Sequence, residues 1–83
     1  MQHLEDITNI LADVLGLGER KKSLTENSPL LGAVPELDSM AVIGIITALE
    51  EHFGISVDDD EISAATFDTV GSLTRFVQQK LGG

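Results

Sequence analysis

The sequence predicts an all-α fold: a small four-helix bundle, with three main helices, one short one, and a long loop between the first and second. Three observations carry this. Apolar residues recur at helical spacing in three separate stretches. Capping residues and glycines bracket those stretches. No segment alternates with period two over a useful length, and no hairpin turn is flanked by alternation. At 83 residues the chain is read as a single domain, 1–83.

The first helix spans roughly 3–15. Leu4, Ile7, Leu11, Val14 and Leu15 fall on one face. Gly16 suits a left-handed stop, and Leu17 can fold back on the last turn. Residues 17–37 show no sustained period and are punctuated by Gly18, Pro29, Gly32 and Pro35. They also carry Leu24, Leu30, Leu31, Val34 and Leu37, enough apolar side chains to pin an ordered crossover to a core. A short helical turn fits within it.

The second helix opens at Asp38-Ser39, with Asp38 as N-cap and Ser39 in the first turn. It runs to about Phe53, and Gly54 stops it. Ile43, Ile46, Leu49 and Phe53 are expected to face inward. The first half is apolar nearly all round, while Glu50 and Glu51 make the far end polar. Such a helix is either deeply buried or meets a partner. Asp58-Asp59-Asp60-Glu61 then precedes a short helical turn, where acids suit the positive end of the dipole. Phe67 is expected to anchor the core. Thr69 caps a last helix with the stripe Val70, Leu73, Phe76, Val77 and Leu81, and Gly82-Gly83 forms a frayed end.

Composition excludes several functions. There is no cysteine, so disulfides, thiolate nucleophiles and cysteine–zinc sites fall away together. The net charge of -9 repels phosphate backbones and argues against nucleic-acid binding. The longest apolar run is too short to span a bilayer, so membrane insertion is not expected. The N-terminus lacks a signal-peptide pattern, so a cytoplasmic location is expected.

The chemistry-bearing patterns mostly fail on inspection. A calcium loop starting at Asp58 places Ile62, Ser63 and Thr69 where ligand, glycine and bidentate glutamate belong. His3 and His52 sit on different helices without a third ligand at metal spacing and read as surface residues. Ser39 and His52 cannot form a triad, being thirteen positions apart on one helix. No catalytic residues are assigned and no enzyme is expected. What remains is the Ser39 hydroxyl at a helix start, where backbone N–H groups favour a phosphate.

Asp38-Ser39-Met40, followed by an aliphatic helix ending Ala48-Leu49-Glu50-Glu51-His52-Phe53-Gly54-Ile55, resembles the acyl carrier proteins. The resemblance runs through nearly the whole chain, element by element. It implies that Ser39 is the attachment point of 4′-phosphopantetheine, transferred from coenzyme A by a phosphopantetheinyl transferase. The thiol of that arm would carry an acyl or aminoacyl group as a thioester to partner enzymes. Asp38 would belong to the recognition motif, its carboxylate helping to hold the metal during transfer. Met40 stands where the family usually has leucine, a contact for partners. The docking residues would be Met40, Ala41, Ile43, Gly44, Thr47, Glu50 and Glu51.

Carriers of fatty-acid biosynthesis place acids two and five residues after the serine. Here Ala41 and Gly44 stand there. Leu37-Asp38-Ser39-Met40 also resembles carriers loaded with amino acids, including those of D-alanylation. Both points lead to a specialised carrier, served by acyl- or aminoacyl-activating and transferring enzymes; a monomer is the default expectation. The residues alone leave a second reading open: a helical interaction domain that docks through the apolar second helix, whatever happens at Ser39.

Overall fold

The structure, a computed structural model, describes residues 3–34 and 37–82. Three α-helices dominate: α1 (Leu4–Leu15), α2 (Ser39–Phe53) and α3 (Val70–Lys80). Two short 3-10 helices join them, Gly18–Ser23 in the crossover and Asp59–Glu61 between α2 and α3. Among the described residues the only β-type pairing is an isolated bridge between Pro29 and Thr69. The all-α bundle with a long first loop is therefore present.

Each helix boundary follows from a side chain or a glycine. Gly16 and Gly54 both adopt left-handed φ values, 65° and 67°, that close α1 and α2 at no Cβ cost. Leu17 then folds back, its N–H donating to the Ala12 carbonyl at 3.0 Å and its side chain buried. At α3, the Thr69 hydroxyl accepts from the Ser72 N–H at 3.0 Å, and the Ser72 hydroxyl accepts from the Thr69 N–H at 3.0 Å. This reciprocal box satisfies two polar groups at the helix start.

The core joins all parts of the chain. Ile7, Leu11 and Leu15 enter from α1, Leu30 from the crossover, Ile45 and Leu49 from α2, and Phe67, Val70, Leu73 and Val77 from α3 and its approach. The helices α1 and α2 run antiparallel. Gly44, early in α2, faces Val14 near the end of α1, and His52, late in α2, lies beside Asp6 near its start.

The crossover is stitched to the start of α3. Leu30 and Leu31 donate to the carbonyls of Asp68 and Phe67 at 3.0 and 2.9 Å. In return Val70 and Gly71 donate to the carbonyls of Ser28 and Glu26 at 3.0 and 2.7 Å. Those two N–H groups lie in the first turn, where a helix has no partner for them. The loop thus completes the helix, and that explains how a long segment without internal periodicity stays ordered.

Four expectations need correction. Ile43 is exposed, and Ile45 takes the fully buried place on α2. A helix apolar nearly all round carries no periodic signal for its inward face, so the choice falls to the packing of α1. Leu31 is exposed while its neighbour Leu30 is buried, because Leu31 opens a surface turn closed by the Ala33 and Val34 N–H groups on the Leu30 carbonyl. Leu81 lies past the end of α3 and is 41% exposed. The acids do not precede a helical turn: Asp59–Glu61 are the turn. Pro35 and the Gly83 end of the tail fall outside the described residues.

Glu61 accounts for that turn. Its carboxylate accepts from the Asp58 N–H at 2.8 Å and from Lys80 Nζ at 2.8 and 3.0 Å. The Lys80 hydrogen bond, then the Asp58 N–H, hold its pKa below the usual 4.5. A carboxylate lowered on folding stabilises above its unfolded value, and that support is lost as pH falls through the folded value. Lys80→Ala is therefore expected to flatten the dependence of melting temperature on pH below about 4.5, leaving it unchanged near neutrality. Melts from neutrality into acid check this; equal pH slopes in both proteins would refute it.

Candidate functional site around Ser39

Ser39 is the first residue of α2, and its placement follows from the two residues before it. Leu37 is half-buried against the core, and its N–H donates to the Val34 carbonyl at 3.0 Å. Asp38 is extended and caps the helix: its Oδ1 accepts from the Ala41 N–H at 2.8 Å, and its carbonyl accepts from the Val42 N–H at 2.9 Å. Ser39 is exposed as a result. Among the described residues nothing hydrogen-bonds its hydroxyl.

The site suits attachment of a phosphodiester. The oxygen is open to solvent, so a phosphate bound to it needs no displacement of the core. The amides of Ser39 and Met40 stand ahead of the intrahelical ladder, with the positive end of a 15-residue helix behind them. The nearest acid, Asp38, has one carboxylate oxygen committed to the Ala41 amide.

The structure divides the candidate docking residues. Met40, Ile43, Thr47 and Glu51 form one exposed row at helical spacing. The other three turn inward. Ala41 packs against the core, and a Cβ at Gly44 would lie 3.3 Å from the Val14 side chain. Glu50 accepts from the Val57 N–H at 2.8 Å and so braces the loop after α2, a role with no sequence signature.

The histidines assemble at the opposite end of the bundle. Phe53 receives edge contacts from His3 and His52, with ring centroids 5.4 and 4.7 Å away. The Asp6 carboxylate lies 3.9 and 3.8 Å from their nitrogens. An open groove of about 320 Å³ runs beside them, lined by Asp6, Asn9, Ile10, Asp13 and His52. His52 therefore belongs with the start of α1, away from Ser39. Among the described residues no helix is long and apolar enough to cross a membrane.

Comparison with known proteins matches this geometry. Residues 5–77 fit the family model described as a phosphopantetheine attachment site. The solution structure of a holo acyl carrier protein from Nitrosomonas europaea is 67% identical, with 100% of each chain covered and a TM-score of 0.92. A phosphopantetheine-bearing carrier bundle is thus the class to which fold and site conform. The chain belongs to the acyl carrier protein family. It is a carrier and not an enzyme, and its cofactor is covalently attached 4′-phosphopantetheine.

Proposed function

We propose that Ser39 bears the phosphopantetheine arm and that the chain, acting as a single carrier domain in the cytoplasm, delivers an acyl or aminoacyl thioester to partner enzymes. The observation that carries this is the exposed Ser39 hydroxyl at the first position of α2, held there by the Asp38 cap. The same holo state described for the Nitrosomonas europaea carrier is its working form. Loading uses coenzyme A and a phosphopantetheinyl transferase. The Ser39 oxygen loses its proton and bonds to the phosphorus of the pantetheine phosphate. The phosphoanhydride bond breaks, and adenosine 3′,5′-bisphosphate leaves.

Asp38 serves this step as a fixed recognition element, and the protein acts as a monomer. Residues 39–49 of α2 contain no acid, which supports a specialised carrier in preference to a general fatty-acid one. Loading assays with amino-acid-activating and fatty-acid-activating enzymes separate the two cargoes.

The attachment itself is tested by intact mass after incubation with coenzyme A and a broad transferase. Wild type is expected to gain one phosphopantetheine group, and Ser39→Ala none. Equal gains in both, or none in wild type, would overturn the assignment. The exposed, unbonded side chain predicts that Ser39→Ala melts within about 0.5 kcal/mol of wild type.

A further inference from the structure

The chain has three lysines, Lys21, Lys22 and Lys80, and the fold treats them differently. Lys80 donates to both oxygens of the Glu61 carboxylate, at 2.8 and 3.0 Å, so its nitrogen is engaged as a charged donor. Lys21 is half-buried. Lys22 is exposed, and no hydrogen bond or ion pair among the described residues holds its nitrogen. Of the three side-chain amines, Lys22 alone is both open to solvent and unengaged.

Lys22 also belongs to the end of the bundle that carries Ser39. Its 3-10 helix, Gly18–Ser23, follows directly on α1, and the end of α1 lies against the start of α2, with Val14 facing Gly44. Ser39 is five residues before Gly44, about 7.5 Å along the helix axis. A phosphopantetheine arm, a chain of single bonds and amides, reaches roughly 18 Å from serine oxygen to sulfur at ordinary bond lengths, and a lysine side chain adds about 6 Å. The whole molecule measures only 31 × 26 × 21 Å. Two groups at one end of it fall within the combined sweep of arm and side chain.

We infer that Lys22 is a modification site of the loaded carrier, its side-chain amine taking the acyl group from the thioester borne on Ser39 of the same molecule. This inference rests on the carrier reading of Ser39. The neutral Lys22 Nζ gives its lone pair to the thioester carbonyl carbon. The carbon–sulfur bond breaks, the sulfur leaves with the bonding pair, and the proton shed by the nitrogen ends on the thiol. An amide stands on Lys22 and the arm is free. Tethering raises the effective concentration of the thioester around Lys22, so transfer within one molecule outruns transfer between dilute molecules. An amide is not a thioester, so cargo moved to Lys22 is withdrawn from delivery, and the exposure of Lys22 limits the lifetime of the loaded state.

The probe is acetyl-coenzyme A with a broad phosphopantetheinyl transferase, which places an acetylated arm on the apo chain in one step. The coenzyme is then removed and the carrier held at mildly alkaline pH, which favours the neutral, nucleophilic amine. Hydroxylamine follows, cleaving thioesters and sparing amides. Intact mass and peptide mapping read the acetyl that remains. Wild type is expected to retain it on Lys22 about tenfold more than on Lys21 or Lys80, at a rate per molecule independent of carrier concentration. Lys22→Arg is expected to load as wild type does, its side chain being exposed, and to retain about fivefold less acetyl. Ser39→Ala, taken through the same steps, is expected to retain none. If the carrier loads but favours Lys22 over neither other lysine, transfers in proportion to its concentration, or retains as much acetyl in Lys22→Arg or Ser39→Ala as in wild type, the inference fails alone. If wild type gains no acetylated arm, the carrier reading fails and takes this inference with it.

Discussion

Leu30→Ala is expected to cost roughly 3 kcal/mol, the loss of a fully buried leucine with only partial collapse of the space it leaves. For a domain of this size that lowers the melting temperature by roughly 15 °C. Leu30 sits in the crossover, yet no part of its side chain reaches solvent. Its N–H is held by the Asp68 carbonyl, and its own carbonyl accepts from the Ala33 and Val34 N–H groups. A fixed backbone cannot follow a truncated side chain, so the void persists. Leu31 provides the control. It is 48% exposed, and Leu31→Ala should cost less than about 1 kcal/mol. Paired thermal melts decide the matter. A loss at Leu30→Ala as small as that at Leu31→Ala, under about 1 kcal/mol, would show that the crossover is not part of the core.

Gly71→Ala is expected to destabilise by about 2 kcal/mol, the scale of a forced shift in a packed region. Helix propensity alone predicts the opposite sign, since alanine is better than glycine within a helix by about 1 kcal/mol. The reversal comes from one contact. A Cβ at Gly71 would lie 2.7 Å from the Glu26 carbonyl oxygen, which is backbone and cannot rotate aside. The same oxygen accepts the Gly71 N–H at 2.7 Å. Relieving the clash therefore lengthens that hydrogen bond and pulls the crossover from α3. Urea unfolding gives the test, and a variant as stable as wild type would refute the close approach.

Much of this protein was legible because its boundaries are local. Asp38 and Thr69 cap the helices that follow them, and Gly16 and Gly54 end the helices before them. Those are decisions made within four residues, and sequence records them. Ser39 was legible for the same reason: a hydroxyl one position after a capping aspartate has little choice of place. The inward face of α2 was legible only in part: Leu49 is buried and Ile46 and Phe53 pack on the core as expected, while Ile43 is exposed and Ile45 takes its place. With Val42, Ile43, Ile45 and Ile46 all apolar, the pattern permits more than one rotation, and contact with α1 selects Ile45 and Leu49. The division of the candidate docking residues was hidden with it, because Ala41 and Gly44 read as absent acids until Val14 and the core are seen against them. Backbone bonds between Glu26–Leu31 and Phe67–Gly71 leave no trace in side-chain identity, apart from the glycine at 71.

The pairing of the crossover with the start of α3 also sets the order in which the chain can fold. Its partners are separated by roughly forty residues, so the contacts begin to repay the entropy of closing that span only once the span is closed. The α1 and α2 helices are each delimited by local signals and can form beforehand. Because α3 borrows two of its first-turn partners from the crossover, its opening turn cannot be complete until the two ends of that span have met. Cooperativity in this small bundle is thus written largely in main-chain bonds between a loop and a helix start. A lesion on either side of that seam should be felt across the whole molecule and not only in the loop.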